Sequence, residues 1–202
     1  MEEKIVYYEE PGVNNTENTL RLALERAKAR SIKKIVLAST RGDTARTAAG
    51  LLAGTGIKMV VVPHQYGFMG NPQRFPAELV AELNKKGHAV HFGTMLFHTE
   101  HLYGTEAPRA LANMLRTFCQ GMKVCVEICL MAVDGGHIGA GEPVVIVAGT
   151  GRGADTAVVA LGASSTRLNE LHITEIICKP LQTKSMTPPP PPMPPPPPPD
   201  KK

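Results

Sequence analysis

A chain of 202 residues, 43% of them hydrophobic, supports one substantial domain with a closed core and is short for two. Its formal net charge of +4 divides in half, because Lys184, Lys201 and Lys202 against Asp200 leave +2 in the C-terminal stretch and +2 for the body. Lys and Arg interleave with Glu along predicted helices, as in Glu25 to Arg30, instead of forming the basic stripe of a nucleic-acid binder. The opening MEEKIVYYEE lacks the basic and apolar regions of a signal peptide, and no apolar run reaches the roughly 18 residues of a membrane span. The expectation is a cytoplasmic protein whose partners include neither nucleic acid nor a membrane. The cysteines, Cys119, Cys125, Cys129 and Cys178, read as small buried hydrophobes.

Runs rich in Val and Ile alternate with segments of helical period, the pattern of a parallel sheet covered by helices. Ile5 to Tyr8 reads as a strand. Thr16 to Arg30 reads as a helix with Leu20, Ala23, Leu24 and Ala27 on one face and Thr16 as its N-cap. Strands follow at Ile35 to Ala38, Met59 to Val62 and His88 to Phe92, with helices at Thr44 to Ala53 and Ala77 to Lys86; Pro76 suits the start of the latter. Met122 to Val133 is rich in β-branched residues, but Lys123, Glu127 and Asp134 fall on one side of a 3.6-residue period, which predicts a buried helix closed by Gly135 and Gly136. Val144 to Ala148, Thr156 to Leu161 and Ile173 to Cys178 supply the last strands, with a mixed sheet at that edge. The fold class is therefore α/β, three-layer αβα with a mostly parallel sheet.

From Thr187 the composition changes to TPPPPPMPPPPPPDKK, which holds eleven of the eighteen prolines. Residues 1–181 read as one domain and 182–202 as a proline-rich polyproline tail, either a stiff extension or the ligand of a polyproline-binding partner.

In such sheets ligands lie over the carboxyl ends of the strands, so the loops leaving them carry the chemistry. In Ser39-Thr40-Arg41-Gly42-Asp43-Thr44 the hydroxyls and the free amides of a helix N-terminus converge on an anion, Gly42 lets the backbone come close, and Arg41 neutralises a phosphate. Alternatively Asp43 or Thr44 merely caps the helix. In Gly149-Thr150-Gly151-Arg152-Gly153-Ala154-Asp155-Thr156 alternate glycines flank an Arg, as a phosphate loop or as a tight hairpin. A third loop, Pro63 to Gly70, carries His64, Tyr66, Gly67 and Phe68, whose aromatic rings either lie over a planar ligand or pin the loop to the core. Glu127 either pairs with Lys123 one turn away or faces the ligand cleft. His98 and His101 share a helical face but have no third ligand at a defined spacing, so no metal is expected.

These loops carry a resemblance. IVLASTRGDTA, KMVVVP, KVCVEICLMAVDGG and VVIVAGTGRGADTAVV, with the opening KIVYY and NNTENTLRLALERA, are similar to the family of stand-alone proteins built on the C-terminal domain of pyruvate kinase, from about residue 3 to about residue 180. The resemblance implies a pyruvate kinase C-terminal-domain-like fold without the catalytic barrel, and so no transfer of phosphate from phosphoenolpyruvate. In full-length pyruvate kinases the domain holds a sugar-phosphate effector in some lineages, at loops corresponding to Ser39 to Thr44 and Gly149 to Thr156. Stand-alone relatives are associated with flavin mononucleotide (FMN), which would place a phosphate on the two loops and a ring beside Tyr66 and Phe68.

The leading expectation is a module that binds a phosphorylated small molecule, FMN first. A flavin-dependent oxidoreductase needs in addition an open ring face and a second substrate. A sugar-phosphate effector-binding regulatory protein, or an interaction protein using its proline tail, completes the alternatives. Homo-oligomers are common for such domains.

Overall fold

A computed structural model describes residues 2–183; the proline-rich run expected to form a tail lies outside the described residues. The strands are β1 (Val6–Tyr8), β2 (Lys34–Ala38), β3 (Lys58–Val62), β4 (Ala89–Val90), β5 (Pro143–Ala148), β6 (Thr156–Leu161) and β7 (His172–Pro180). They form one sheet in the order β1-β7-β6-β5-β2-β3-β4. The helices are α1 (Thr16–Ala29), α2 (Asp43–Leu52), α3 (Ala77–Lys85), α4 (Glu100–Tyr103), α5 (Ala107–Arg116) and α6 (Gln120–Asp134).

Strand residues alternate between the two faces, and both faces are buried, which is why the strands read as continuous apolar runs. Ile35, Leu37, Met59, Val61, Val145 and Val147 pack against Leu20, Ala23 and Ala27 of α1, Ala45 and Ala48 of α2, and Leu79 and Leu83 of α3. Val36, Val60, Val62, Val144, Ile146 and Ala148 pack on the other face against Met122, Cys125, Ile128 and Cys129 of α6. Ala112 of α5 then joins Val126 and Leu130 on the outer side of α6, so α6 is buried all round. The architecture is the expected three-layer αβα fold.

Two local expectations need correction, and a third, the mixed sheet, gains its detail. The strand expected at His88 to Phe92 pairs with β3 only at Ala89 and Val90, because beyond them Phe92 turns to pack on Tyr66 and Phe75, and His91 on His137. The sheet is mixed on the expected side: its antiparallel strand is β6, between β5 and β7, so the glycine-rich loop closes a β5–β6 hairpin, the second of the two readings open for it. Thr16 is the first residue of α1 and not its cap; its hydroxyl donates to Val13 O (2.7 Å) and accepts from Ala154 N (3.0 Å), tying α1 to the glycine-rich loop.

Candidate functional site

The carboxyl ends of β2, β3 and β5 open into a cavity of about 730 Å³. Ala38, Val62 and Gly149 form its strand-end floor, the α2 entry loop and the glycine-rich loop its sides, and α6 its back wall.

The α2 entry is built around Gly42. Its φ of +91° lies in the left-handed region, and a Cβ there would stand 2.5 Å from Leu79 Cδ2, a core atom that cannot easily give way. Gly42 has no side chain to cap α2; neither Asp43 nor Thr44 caps it, and Ser39 Oγ instead accepts from Ala45 N at 3.3 Å. Ser39 thus takes the Ala45 amide, and the amides ahead of it in the first turn, of Asp43 and Thr44, are the donors left for an anion. Ser39, Thr40, Arg41, Asp43 and Thr44 line the cavity, whereas Gly42 serves it by shaping the turn.

Asp155 shapes the facing loop. Its side chain is fully buried, Oδ2 accepts from Thr150 N (3.0 Å) and Gly12 N (2.9 Å), and Oδ1 accepts from Thr156 Oγ1 (2.8 Å). Asp155, Thr150 and Thr156 are therefore scaffold beneath the loop and do not line the cavity, while Gly149, Gly151, Arg152 and Gly153 do. Gly153 has φ +77° and faces Thr16 Oγ1 at 2.3 Å from the position of a Cβ, a separation only glycine tolerates. Arg152 reaches Asp43 across the mouth at 3.4 Å, with both side chains largely exposed.

The aromatic loop divides between two places. Phe68 and His64 line the cavity, with ring centroids 4.7 Å apart, and His98 closes edge-on against Phe68 at 5.1 Å, giving a continuous aromatic wall. Tyr66 points elsewhere: it is 67% exposed and packs on Phe92, and Gly67, at φ +71°, only turns the chain. Gln65 Oε1 accepts from Met95 N and Gln73 Nε2 donates to His64 O, which fixes the loop against the cavity. Burial holds the His64 imidazole below its usual pKa, and the Arg74 charge acts in the same direction.

The back wall carries a buried polar cluster. Lys123 and Glu127 are each about 2% exposed, and Lys123 Nζ donates to Glu127 Oε2 at 2.5 Å. Glu127 Oε1 accepts from Phe97 N (2.8 Å), and Lys123 Nζ stands 3.1 Å from His98 Nε2 and 5.5 Å from the centre of the Phe97 ring. Both readings of Glu127 hold together, since it is paired with Lys123 and the pair faces the cavity. Burial lowers the Lys123 pKa, with the Glu127 carboxylate opposing; burial and the Lys123 charge lower that of His98.

Sequence reasoning did not single out Arg74, Arg116 and Gln120, which also line the cavity. Arg116 closes α5 with its guanidinium held by Gln120 (2.7 Å) and Asn113 (2.8 Å), and the signal that would have found it is the amphipathic period of residues 107–116. Arg74 lies on the segment entering α3. Arg41, Arg74, Arg116, Arg152 and Lys123 outnumber Glu17, Asp43 and Glu127 in the lining and leave it net positive beside an aromatic wall, an arrangement suited to a ligand with an anionic end and an apolar ring.

A mostly parallel three-layer α/β domain with an arginine-lined cleft at its strand ends is the class of protein these features define. The family model for "Pyruvate kinase, alpha/beta domain" matches residues 17–160. The chain belongs to that family. Among the described residues no helix is long and apolar enough to cross a membrane.

Proposed function

We propose that this cleft binds a phosphorylated small molecule, with FMN the ligand its lining fits best. The observation that carries the reading is the convergence of the first turn of α2, with Arg41, and the glycine-rich loop, with Arg152, on one cavity. A phosphate there meets backbone amides, the Ser39 and Thr40 hydroxyls and two guanidinium groups, while the positive end of the α2 dipole adds to the attraction. The Phe68 wall offers the flat apolar surface an isoalloxazine ring requires, and about 730 Å³ lies within the range of roughly 300 to 1,000 Å³ typical of cofactor pockets. When bound, FMN would supply a redox-active ring; the chain's own residues hold its phosphate and shield one ring face.

The cationic lining extends to Arg74 and Arg116, beyond what one phosphate monoester needs, and this favours a sugar-phosphate effector as the second reading. One experiment separates them: an absorption spectrum of protein purified without added ligand, then mass spectrometry of what denaturation releases. Flavin bands and a released mononucleotide support FMN. A colourless protein releasing a sugar phosphate supports the effector, and an empty protein that ignores both added compounds sinks the proposal.

A further inference from the structure

Lys123 and Glu127 stand out as a buried ion pair on the wall of a cleft open to solvent. Taking two charges out of water is costly, and an apolar pair of similar volume would pack α6 equally well, so structure alone gives no reason for them. Their placement is chemical. Lys123 Nζ lies between a carboxylate oxygen at 2.5 Å and an imidazole nitrogen at 3.1 Å, on the same cavity as Arg41 and Arg152. An ammonium can only donate, so His98 Nε2 accepts and the His98 ring is neutral with its proton on Nδ1.

The geometry points to Lys123 as the amine that forms an imine with a phosphorylated aldehyde or ketone held in this cleft, a use that rests on the phosphate-binding reading above. Glu127 takes one proton from the Lys123 ammonium, and the free amine adds to the carbonyl carbon, forming the C–N bond. Proton transfer within the adduct gives the carbinolamine. Glu127 then returns its proton to the hydroxyl, the C–O bond breaks, and water leaves. A protonated imine remains, with the Glu127 carboxylate as its counter-ion; the ammonium and the carbonyl compound have become iminium and water, with no change of oxidation state. A desolvated lysine beside an acid–base group is the arrangement such chemistry requires, and burial already lowers the Lys123 pKa.

The test uses pyridoxal 5′-phosphate as a phosphorylated aldehyde and 5′-deoxypyridoxal, which cannot close into a hemiacetal, as its phosphate-free counterpart, each trapped on the full chain with borohydride and mapped by peptide mass spectrometry. Lys123 should be labelled ahead of every other lysine. Labelling should be roughly tenfold or more slower with 5′-deoxypyridoxal, and likewise with pyridoxal 5′-phosphate in Arg41→Ala. Lys123→Arg keeps a cation against Glu127; it should show no preferred labelling site while its urea unfolding midpoint stays near the parent's. Labelling spread over the surface lysines, or an unlabelled Lys123 in a protein that binds FMN, overturns the imine and leaves the proposed function standing. Failure to bind FMN, together with labelling that is indifferent to the phosphate, overturns both.

Discussion

Arg41 and Arg152 sit on different loops, separated by more than a hundred positions in the chain, yet border one cavity. On the proposed binding of a phosphate between them, replacing either by alanine would remove a charge-assisted hydrogen bond, and titration calorimetry with FMN should show a loss of about 1.5 to 3 kcal/mol for each. Arg152 should lie at the lower end, because it already shares its charge with Asp43 at 3.4 Å. At this scale the sequence was legible where a residue's own loop places it, as with Arg41 on the cavity wall, and misleading where a fold-level bond decides. Asp155 reads as a ligand-loop residue until its carboxylate is seen gathering Gly12, Thr150 and Thr156. Tyr66 and Phe68 are two residues apart, and only the packing of Phe92 shows which of them faces the cleft.

Among the elements, the spacing of Lys123, Glu127 and Asp134 identified α6 as a helix despite its β-branched composition, because intervals of four and seven put all three on one side of a 3.6-residue period; Lys123 and Glu127 are nonetheless buried, on the wall of the cleft. The direction of β6 left no such trace. A run such as Thr156 to Leu161, buried on both faces, has the same apolar pattern whether it runs parallel or antiparallel, and only its hydrogen-bonded neighbours distinguish the two. The α6–β6 contact makes a direct test. A Cβ at Gly121 would lie 2.0 Å from Thr156 Oγ1, so Gly121→Ala should cost about 1 to 3 kcal/mol in urea unfolding by overpacking. Asp155→Ala leaves the Gly12 and Thr150 amides without their carboxylate and should cost about 2 to 4 kcal/mol, with a parallel loss of ligand affinity as the glycine-rich loop loosens. Unchanged affinity in that variant would show that the loop holds its shape by its glycines alone.

For the molecule as a whole, His64, His88, His91 and His98 share one behaviour: burial holds each below its ordinary pKa of 6.5. The unfolded chain therefore binds more protons than the folded one once the pH falls below about 6.5, and stability must decline on acidification from there towards the folded-state values. Urea midpoints measured between pH 7.5 and about 5 should fall steadily, and replacing His91 by Phe should flatten part of that slope. The largest separation in the sheet sets a different constraint. β1 is an edge strand whose parallel neighbour is β7, with Val6 opposite Cys178 and Leu181 N donating to Tyr8 O. Nearly the whole chain must be synthesised before this pairing exists, whereas the β2–β3 pair and the α2 turn need only its first third. Val13, Asn14, Thr16 and Glu17, which follow β1 and line the cleft, must wait for Asp155 to anchor Gly12. On the ribosome, then, the α2 end of the cleft can form early, but its far side is completed only once β7 has emerged, and the whole cleft cannot exist before residue 180 has been made.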